Sequence, residues 1–217
     1  MNISSQGKSA RANGRRKHAV QSFKTAAECI GEIERDMSLF AVTRGQFSMI
    51  DAVLHTLDQV GRSKLSIWTW AIAEYEIETL ERLMMDERLT EARLIIDISA
   101  RTRNANIIEK WQGLFGKSSV LYVVNHAKIA AVESEDGRKV LLRGSMNLNF
   151  NPRFEQMDVT EGGPDFDLVK EIESELPVMP EPERTSWPKA AKISGLNETF
   201  TDQTLSMFNG SGKVWAK

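Results

Sequence analysis

The sequence has few of the residues from which proteins build disulfide frameworks and zinc clusters. It contains one cysteine, Cys29, and three histidines in 217 residues. A single cysteine cannot form an internal disulfide or supply the ligands of a zinc cluster. Both kinds of stabilisation are therefore excluded within one chain. The sequence also shows no carboxylate cluster that would call for a metal ion, and we expect neither a metal nor a cofactor.

Long apolar segments are also lacking. No run of about 18 apolar residues occurs, so no segment is expected to cross a membrane. The first residues are polar and lack the apolar stretch of a secretory signal, which favours a cytoplasmic location. Hydrophobic residues make up 41% and charged residues 27% of the chain, as is typical of a globular protein with a sizeable core.

Acidic residues are absent from residues 1–24, where six cationic side chains are clustered. Such a segment cannot bury apolar area, so we expect a disordered basic arm. A basic arm attracts polyanions, and nucleic acid is the usual partner. A solubilising tail is the alternative. The cationic residues are Lys8, Arg11, Arg15, Arg16, Lys17 and Lys24.

The middle of the chain alternates between helical and strand patterns. Residues 47–60, 74–88 and 104–115 have apolar residues at helical spacing. Residues 64–73, 92–99 and 118–125 have the apolar runs of buried strands. This alternation predicts an α/β fold with a mixed, largely parallel sheet flanked by helices.

The pattern changes to a hairpin after residue 125. Asp136-Gly137 separates the apolar runs 128–134 and 138–145, and Asp-Gly in this position is a strong hairpin signal. Residues 155–160 predict a short strand and residues 164–176 a closing helix. We therefore expect an arm and N-terminal extension over 1–45, one domain over 46–176 and an irregular tail over 177–217.

The hairpin carries a set of residues suited to phosphodiester chemistry. A neutral imidazole such as His126 can attack phosphorus, and Lys128, two residues on along a strand, lies on the same face and supplies positive charge. Ser145 and Asn147 add neutral donors for the phosphate oxygens. Glu155 is expected to accept a proton from the far imidazole nitrogen and so fix the tautomer.

His126-x-Lys128, Gly144-Ser145-x-Asn147 and Glu155 together resemble the HKD signature of the phospholipase D superfamily. The resemblance covers roughly residues 46–175. Glu133 stands where the family has an aspartate, and the gap from Glu133 to Gly144 is longer by a few residues at the hairpin tip, where insertions are tolerated. In the family that acidic residue is mostly structural.

The resemblance implies a metal-independent phosphodiesterase that forms a phosphohistidine intermediate. The family uses a second HKD histidine to protonate the leaving group, but neither His18 nor His55 is followed two residues later by lysine. Single-motif members are dimers with one shared site, so we predict a homodimer built about a two-fold axis. Short single-motif members are mostly nucleases, and we therefore predict an endonuclease on DNA or RNA. The alternatives are an inactive nucleic-acid-binding protein and a phospholipase or phosphatidyl transferase.

Further residues near the motif are candidates for contact with substrate. Gly144, Arg143 and Arg153 are predicted to bind it. Trp68 and Trp70 are expected either to pack in the core and at the sheet edge or to stack on bases. Three more cations, which either line a backbone-binding groove or lie on a solvated helix face, are Arg101, Arg103 and Lys110.

Overall fold

The structure is a computed structural model that describes residues 24–148 and 153–176. Residues 1–23 of the basic arm and the tail 177–217 lie outside the described residues. The described chain contains seven strands, β1 to β7, over Ser38–Thr43, Ser63–Thr69, Leu89–Asp97, Val120–Val123, Lys128–Ser134, Lys139–Gly144 and Glu155–Glu161. It contains six α-helices, α1 to α6, over Ala26–Ile30, Met49–Val60, Glu74–Met85, Ala100–Arg103, Ala105–Phe115 and Pro164–Glu175.

The seven strands form one sheet in the order β1-β7-β6-β5-β2-β3-β4. The prediction of an α/β fold with a mixed sheet flanked by helices is confirmed. The expected predominance of parallel pairs is not found, because only β2-β3 and β3-β4 are parallel. The other four pairs are antiparallel, since β5, β6 and β7 reverse direction in turn and β5 runs against β2.

The β5–β6 hairpin forms where the Asp-Gly signal predicts it. Gly137 in its turn has φ of 84°, a left-handed conformation that suits glycine. The pairing places Lys128 directly opposite Gly144. The hairpin therefore brings the two halves of the sequence motif together at its open end.

The sheet begins earlier in the chain than the sequence patterns indicate. Strand β1 lies within the range assigned to the N-terminal extension, and it pairs with β7 from Ser38 opposite Thr160 to Thr43 opposite Glu155. Leu39 and Ala41 point into the main core. Helix α1 and strand β1 thus contribute to the core and the sheet rather than to an extension that precedes the domain.

The two faces of the sheet are covered unequally. The face that includes Ala130 and Val132 packs against α1, α2, α3 and α5 in the main core. The opposite face packs Ala131 and Leu141 against Phe166 of α6 in a smaller cluster. Within the described ranges, no helix is both long and apolar enough to span a membrane.

Candidate active site

The histidine of the motif lies in a short connection between β4 and β5 that is fastened to the sheet. The buried side chain of Asn125 donates from Nδ2 to Thr69 O at 3.0 Å and accepts from Ala127 N at 2.8 Å. The backbone N–H of Asn125 donates to a carboxylate oxygen of Asp97 at 3.1 Å. The connection is therefore tied to the ends of β2 and β3, and the exposed His126 lies at its middle. The sequence patterns wrongly place His126 within a strand.

Lys128 is the first residue of β5, and its side chain turns toward His126. Nζ lies 3.2 Å from Nδ1 and 3.3 Å from Nε2 of the imidazole, and it donates to His126 O at 2.7 Å. The two side chains thus lie side by side, although the histidine precedes the strand.

The ammonium group of Lys128 is buried without a close counter-ion. The residue is 8% exposed, and no carboxylate in the described ranges forms an ion pair with it. Burial lowers the pKa of Lys128, and the more distant carboxylate of Glu155 partly opposes that shift. A buried cation next to an exposed imidazole is a site at which an anion would be stabilised.

Gly144 allows the second half of the motif to approach β7. A Cβ atom at this position would lie 2.0 Å from the carbonyl oxygen of Gln156, so any side chain would push β6 and β7 apart. Ser145 N donates to the same carbonyl at 3.0 Å. The observed role of Gly144 is therefore close strand packing, whereas its predicted contact with substrate remains a prediction.

Ser145 and Glu155 are joined by a direct hydrogen bond. The Ser145 hydroxyl donates to a carboxylate oxygen of Glu155 and accepts from Gln156 N at 3.0 Å. In the described part of the chain, no hydrogen bond links Glu155 to His126, so the contact expected from the sequence is not found there. Glu155 therefore orients Ser145 and influences Lys128 through its charge.

Asn147 lies between two buried apolar residues, Met146 and Leu148, which are 2% and 1% exposed. Its side-chain oxygen is buried and has no hydrogen-bond partner among the described residues. A buried amide oxygen without a partner costs free energy. Among the described residues, packing thus buries this oxygen without supplying a donor for it, and the predicted contact of Asn147 with substrate remains a prediction.

Arg143 and Arg153, which are also predicted to bind substrate, lie away from His126 and Lys128 or beside them at the surface. Arg143 donates to Asp165 at 2.8 Å, and Asp165 belongs to α6 on the opposite face of the sheet. Arg153 is exposed just before β7. Glu133, at the position of the family aspartate, pairs in register with Lys139 near the turn of the hairpin and thus lies away from Lys128.

Trp70, for which the sequence allows either packing or base stacking, lies beside the histidine. Trp70 follows β2 directly and is 40% exposed, and its ring centroid is 6.5 Å from that of His126. The guanidinium carbon of Arg103 lies 3.9 Å above the Trp70 ring. Trp68, by contrast, donates from its indole N–H to Glu173 of α6 at 2.8 Å.

Two supporting residues were not predicted. Asp97 and Asn125 hold the histidine connection. Asp97 is the last residue of β3, and Asn125 lies two residues after the end of β4. Polar residues at the ends of neighbouring parallel strands meet at one edge of a sheet, so this position was the available signal. His55 takes part in a different contact, since its Nε2 lies 2.7 Å from Gly31 O.

No protein-family model and no curated protein matches the chain. Among solved structures, NucT from Helicobacter pylori is similar with 12% identity and a TM-score of 0.48, over 64% of this chain and 95% of that chain. Phosphatidylserine synthase from Haemophilus influenzae Rd KW20 has 16% identity and a TM-score of 0.40, over 64% of this chain and 37% of that chain. A phospholipase D family member, Nuc from Salmonella typhimurium, has 13% identity and a TM-score of 0.44, over 64% of this chain and 92% of that chain. The similar structures thus include a member of the superfamily that the sequence motif resembles.

Proposed function

We propose that the protein is a phosphodiesterase that cleaves nucleic acid, as an endonuclease on DNA or RNA, with His126 as the nucleophile. The observation that carries this proposal is the buried ammonium of Lys128, which lies 3.2 Å from the imidazole and has no carboxylate partner among the described residues. A structural lysine is rarely buried without a counter-ion. A phosphate bound beside His126 would supply the missing negative charge.

The first chemical step is attack of an unprotonated imidazole nitrogen of His126 on phosphorus. A nitrogen–phosphorus bond forms, and the bond from phosphorus to the leaving oxygen breaks with its electron pair on that oxygen. Lys128 stabilises the negative charge on the phosphate oxygens in the transition state, and the Ser145 hydroxyl adds a donor at the rim of the site.

The second step releases the intermediate. Water attacks the phosphohistidine, the nitrogen–phosphorus bond breaks, and the imidazole is regenerated. The leaving oxygen of the first step needs a proton donor on the far side of phosphorus, and the same group must take a proton from the water in the second step. His55 is bonded to Gly31 O, so it does not serve this purpose.

A two-fold homodimer supplies the second acid–base group. In this arrangement His126 of one subunit attacks phosphorus, and the same histidine of its partner donates the proton to the leaving oxygen. The dimer is thus part of the proposed mechanism, because a single subunit has one HKD histidine.

Nucleic acid is the proposed substrate because of the charge pattern of the sequence. Residues 1–24 contain six cationic and no acidic residues. Such a segment increases affinity for a polyanion through the release of counterions. A phospholipid would be favoured instead by an amphipathic cationic helix, which the sequence patterns do not indicate.

The proposal is tested by assaying cleavage of plasmid DNA, single-stranded DNA and RNA in EDTA. His126→Gln should bring turnover below detection, since loss of a nucleophile costs on the order of 10⁶-fold. His55→Gln is the matched control and should retain turnover. Substrate labelled at the scissile phosphate should leave label on the denatured wild-type protein and none on His126→Gln.

Two results would contradict the proposal. Cleavage that survives in His126→Gln would remove the histidine as nucleophile. A strict monomer in light scattering at micromolar concentration, with full activity, would remove the partner's histidine from the mechanism. Nucleic-acid binding without turnover in the wild-type protein would favour the inactive binding protein instead.

A further inference from the structure

Trp70 is an exposed tryptophan at the rim of the candidate site, and its position has no explanation in core packing. It follows β2 at the same end of the sheet as His126 and Lys128. Its ring centroid lies 6.5 Å from the imidazole, and 40% of its surface is exposed. A bulky aromatic side chain that remains exposed next to a reactive histidine is suited to contact with a ligand.

Arg103 holds the Trp70 side chain in place. Its guanidinium carbon lies 3.9 Å above the ring, and Nη2 donates to Ser99 Oγ at 2.9 Å and to Trp70 O at 3.2 Å. Arg103 is exposed and forms no ion pair with a carboxylate of the described residues. No carboxylate of the described residues thus neutralises the guanidinium, and its remaining N–H groups can donate to a bound ligand.

The loop after β2 is anchored without this stack. Asn104 Nδ2 donates to Ile72 O at 3.1 Å, and Thr69 Oγ1 donates to Ala71 O at 2.7 Å. The loop thus has anchors besides the hydrogen bond from Arg103 to Trp70 O, and none of them involves the indole ring of Trp70. An arginine on one face of an indole also reduces the motion of both side chains, so less conformational entropy is lost when a ligand stacks there.

We infer that Trp70 and Arg103 form a subsite for an unpaired nucleotide next to the scissile phosphate, in which the base stacks on Trp70 and its phosphate pairs with Arg103. The inference rests on the proposed function and names the substrate class of that site as single-stranded nucleic acid. Every base has a flat π-face, so a stacking subsite accepts any sequence. Bases inside a duplex are already stacked and paired, so they are not available to Trp70.

The test compares two single-stranded ligands of the same length and phosphate count, an oligothymidylate and an abasic oligomer. Binding is measured by fluorescence anisotropy in the His126→Gln background, where no cleavage occurs. Trp70→Leu should weaken binding of oligothymidylate by roughly tenfold, a typical loss for one stacked base. It should leave binding of the abasic oligomer unchanged, and Trp70→Phe should restore most of the affinity for oligothymidylate.

Arg103→Ala is expected to weaken binding of both oligomers and to lower the salt dependence of binding by about one counterion. Arg82→Ala is the control for charge, because Arg82 is an exposed arginine on α3 that bonds to Glu78 O of its own helix. Thermal melting of each variant shows whether it is folded.

Equal losses for oligothymidylate and the abasic oligomer in Trp70→Leu would overturn the inference, because they would mean that Trp70 only shapes the loop. Base-dependent binding through Trp70 in a protein that cleaves no substrate would support the subsite and refute the proposed nuclease. Cleavage of both oligomers with no effect of Trp70→Leu would support the nuclease and refute the subsite.

Discussion

The two ends of the β5–β6 hairpin differ in how their charged groups are paired. At the turn, Arg138 donates from Nε to Glu161 at 3.2 Å and from Nη2 to Ile33 O. Arg138 N also donates to Ser134 Oγ at 3.0 Å. Glu161 is 5% exposed, and it accepts from Asp36 N at 2.9 Å as well. The buried charge at this end is thus compensated by a counter-ion and several hydrogen bonds.

At the open end of the same hairpin, Lys128 is buried without a carboxylate partner, and its nearest neighbours are an imidazole and a carbonyl oxygen. A buried cation of this kind lowers the free energy of unfolding. Under the proposed function, the turn end serves stability and the open end binds the phosphate. Substitution of each cation by methionine should therefore separate the two roles.

Of the two methionine substitutions, Lys128→Met should have the larger effect on activity, and it should not lower stability. Methionine fills a similar volume without the charge, so transition-state stabilisation is lost while packing is kept. We expect kcat/KM for nucleic-acid cleavage to fall by roughly 10²–10³-fold, as on removal of one electrostatic contact to a developing charge. The free energy of unfolding in urea should stay the same or rise. A variant with activity within about tenfold of wild type would contradict the assigned role of Lys128.

The sequence predicted those parts of the fold that depend on local patterns. The Asp136-Gly137 turn identified the hairpin, and the apolar runs identified the central strands, because both signals lie within a few residues. Strand β1 was missed because its partner β7 is distant in the chain. The antiparallel pairing of β2 with β5 is equally non-local, and for that reason the expected share of parallel pairs was too high.

Within the candidate site, the motif predicted which side chains are neighbours, but it did not predict the contacts that hold them in place. The spacing of His126 and Lys128 indicated neighbouring side chains, and they are neighbours, but through a loop that Asn125 holds. The contact of Arg143 with Asp165 depends on the position of α6, which periodicity does not give. The arrangement of Arg103 above Trp70 likewise depends on tertiary packing.

Arg138→Met at the turn end should have the opposite outcome to Lys128→Met. It leaves the buried carboxylate of Glu161 without its guanidinium, and the removal of one partner from a buried ion pair costs about 3–5 kcal/mol. We expect this loss in the free energy of unfolding measured with urea, with kcat/KM nearly unchanged where the protein is folded. The double variant Arg138→Met/Glu161→Gln should recover part of the stability, because it removes the uncompensated charge. A loss of activity without a loss of stability would contradict the division between the two ends.

The smallest expected effect is a difference in the pH dependence of stability between Lys128 and Lys139, the first residues of β5 and β6. Burial lowers the pKa of Lys128, whereas the hydrogen bond to Asp167 raises the pKa of Lys139. Between its lowered pKa and the ordinary lysine value of about 10.4, Lys128 binds more protons in the unfolded than in the folded state. Its destabilising effect is therefore complete below the lowered pKa and fades as the pH rises through this range.

Lys139 should act in the reverse direction, since its stabilising contribution is present at neutral pH and is lost as the pH rises through its raised pKa. Urea unfolding of wild type, Lys128→Met and Lys139→Met from neutral pH to about pH 11, which extends past the ordinary lysine pKa, measures both differences. Relative to Lys128→Met, wild type should become more stable as the pH rises. Relative to Lys139→Met, it should not gain stability. If the stability difference from wild type changed with pH in the same way for both variants, Lys128 would have a carboxylate partner in solution. The reason for placing a phosphate beside it would then be lost.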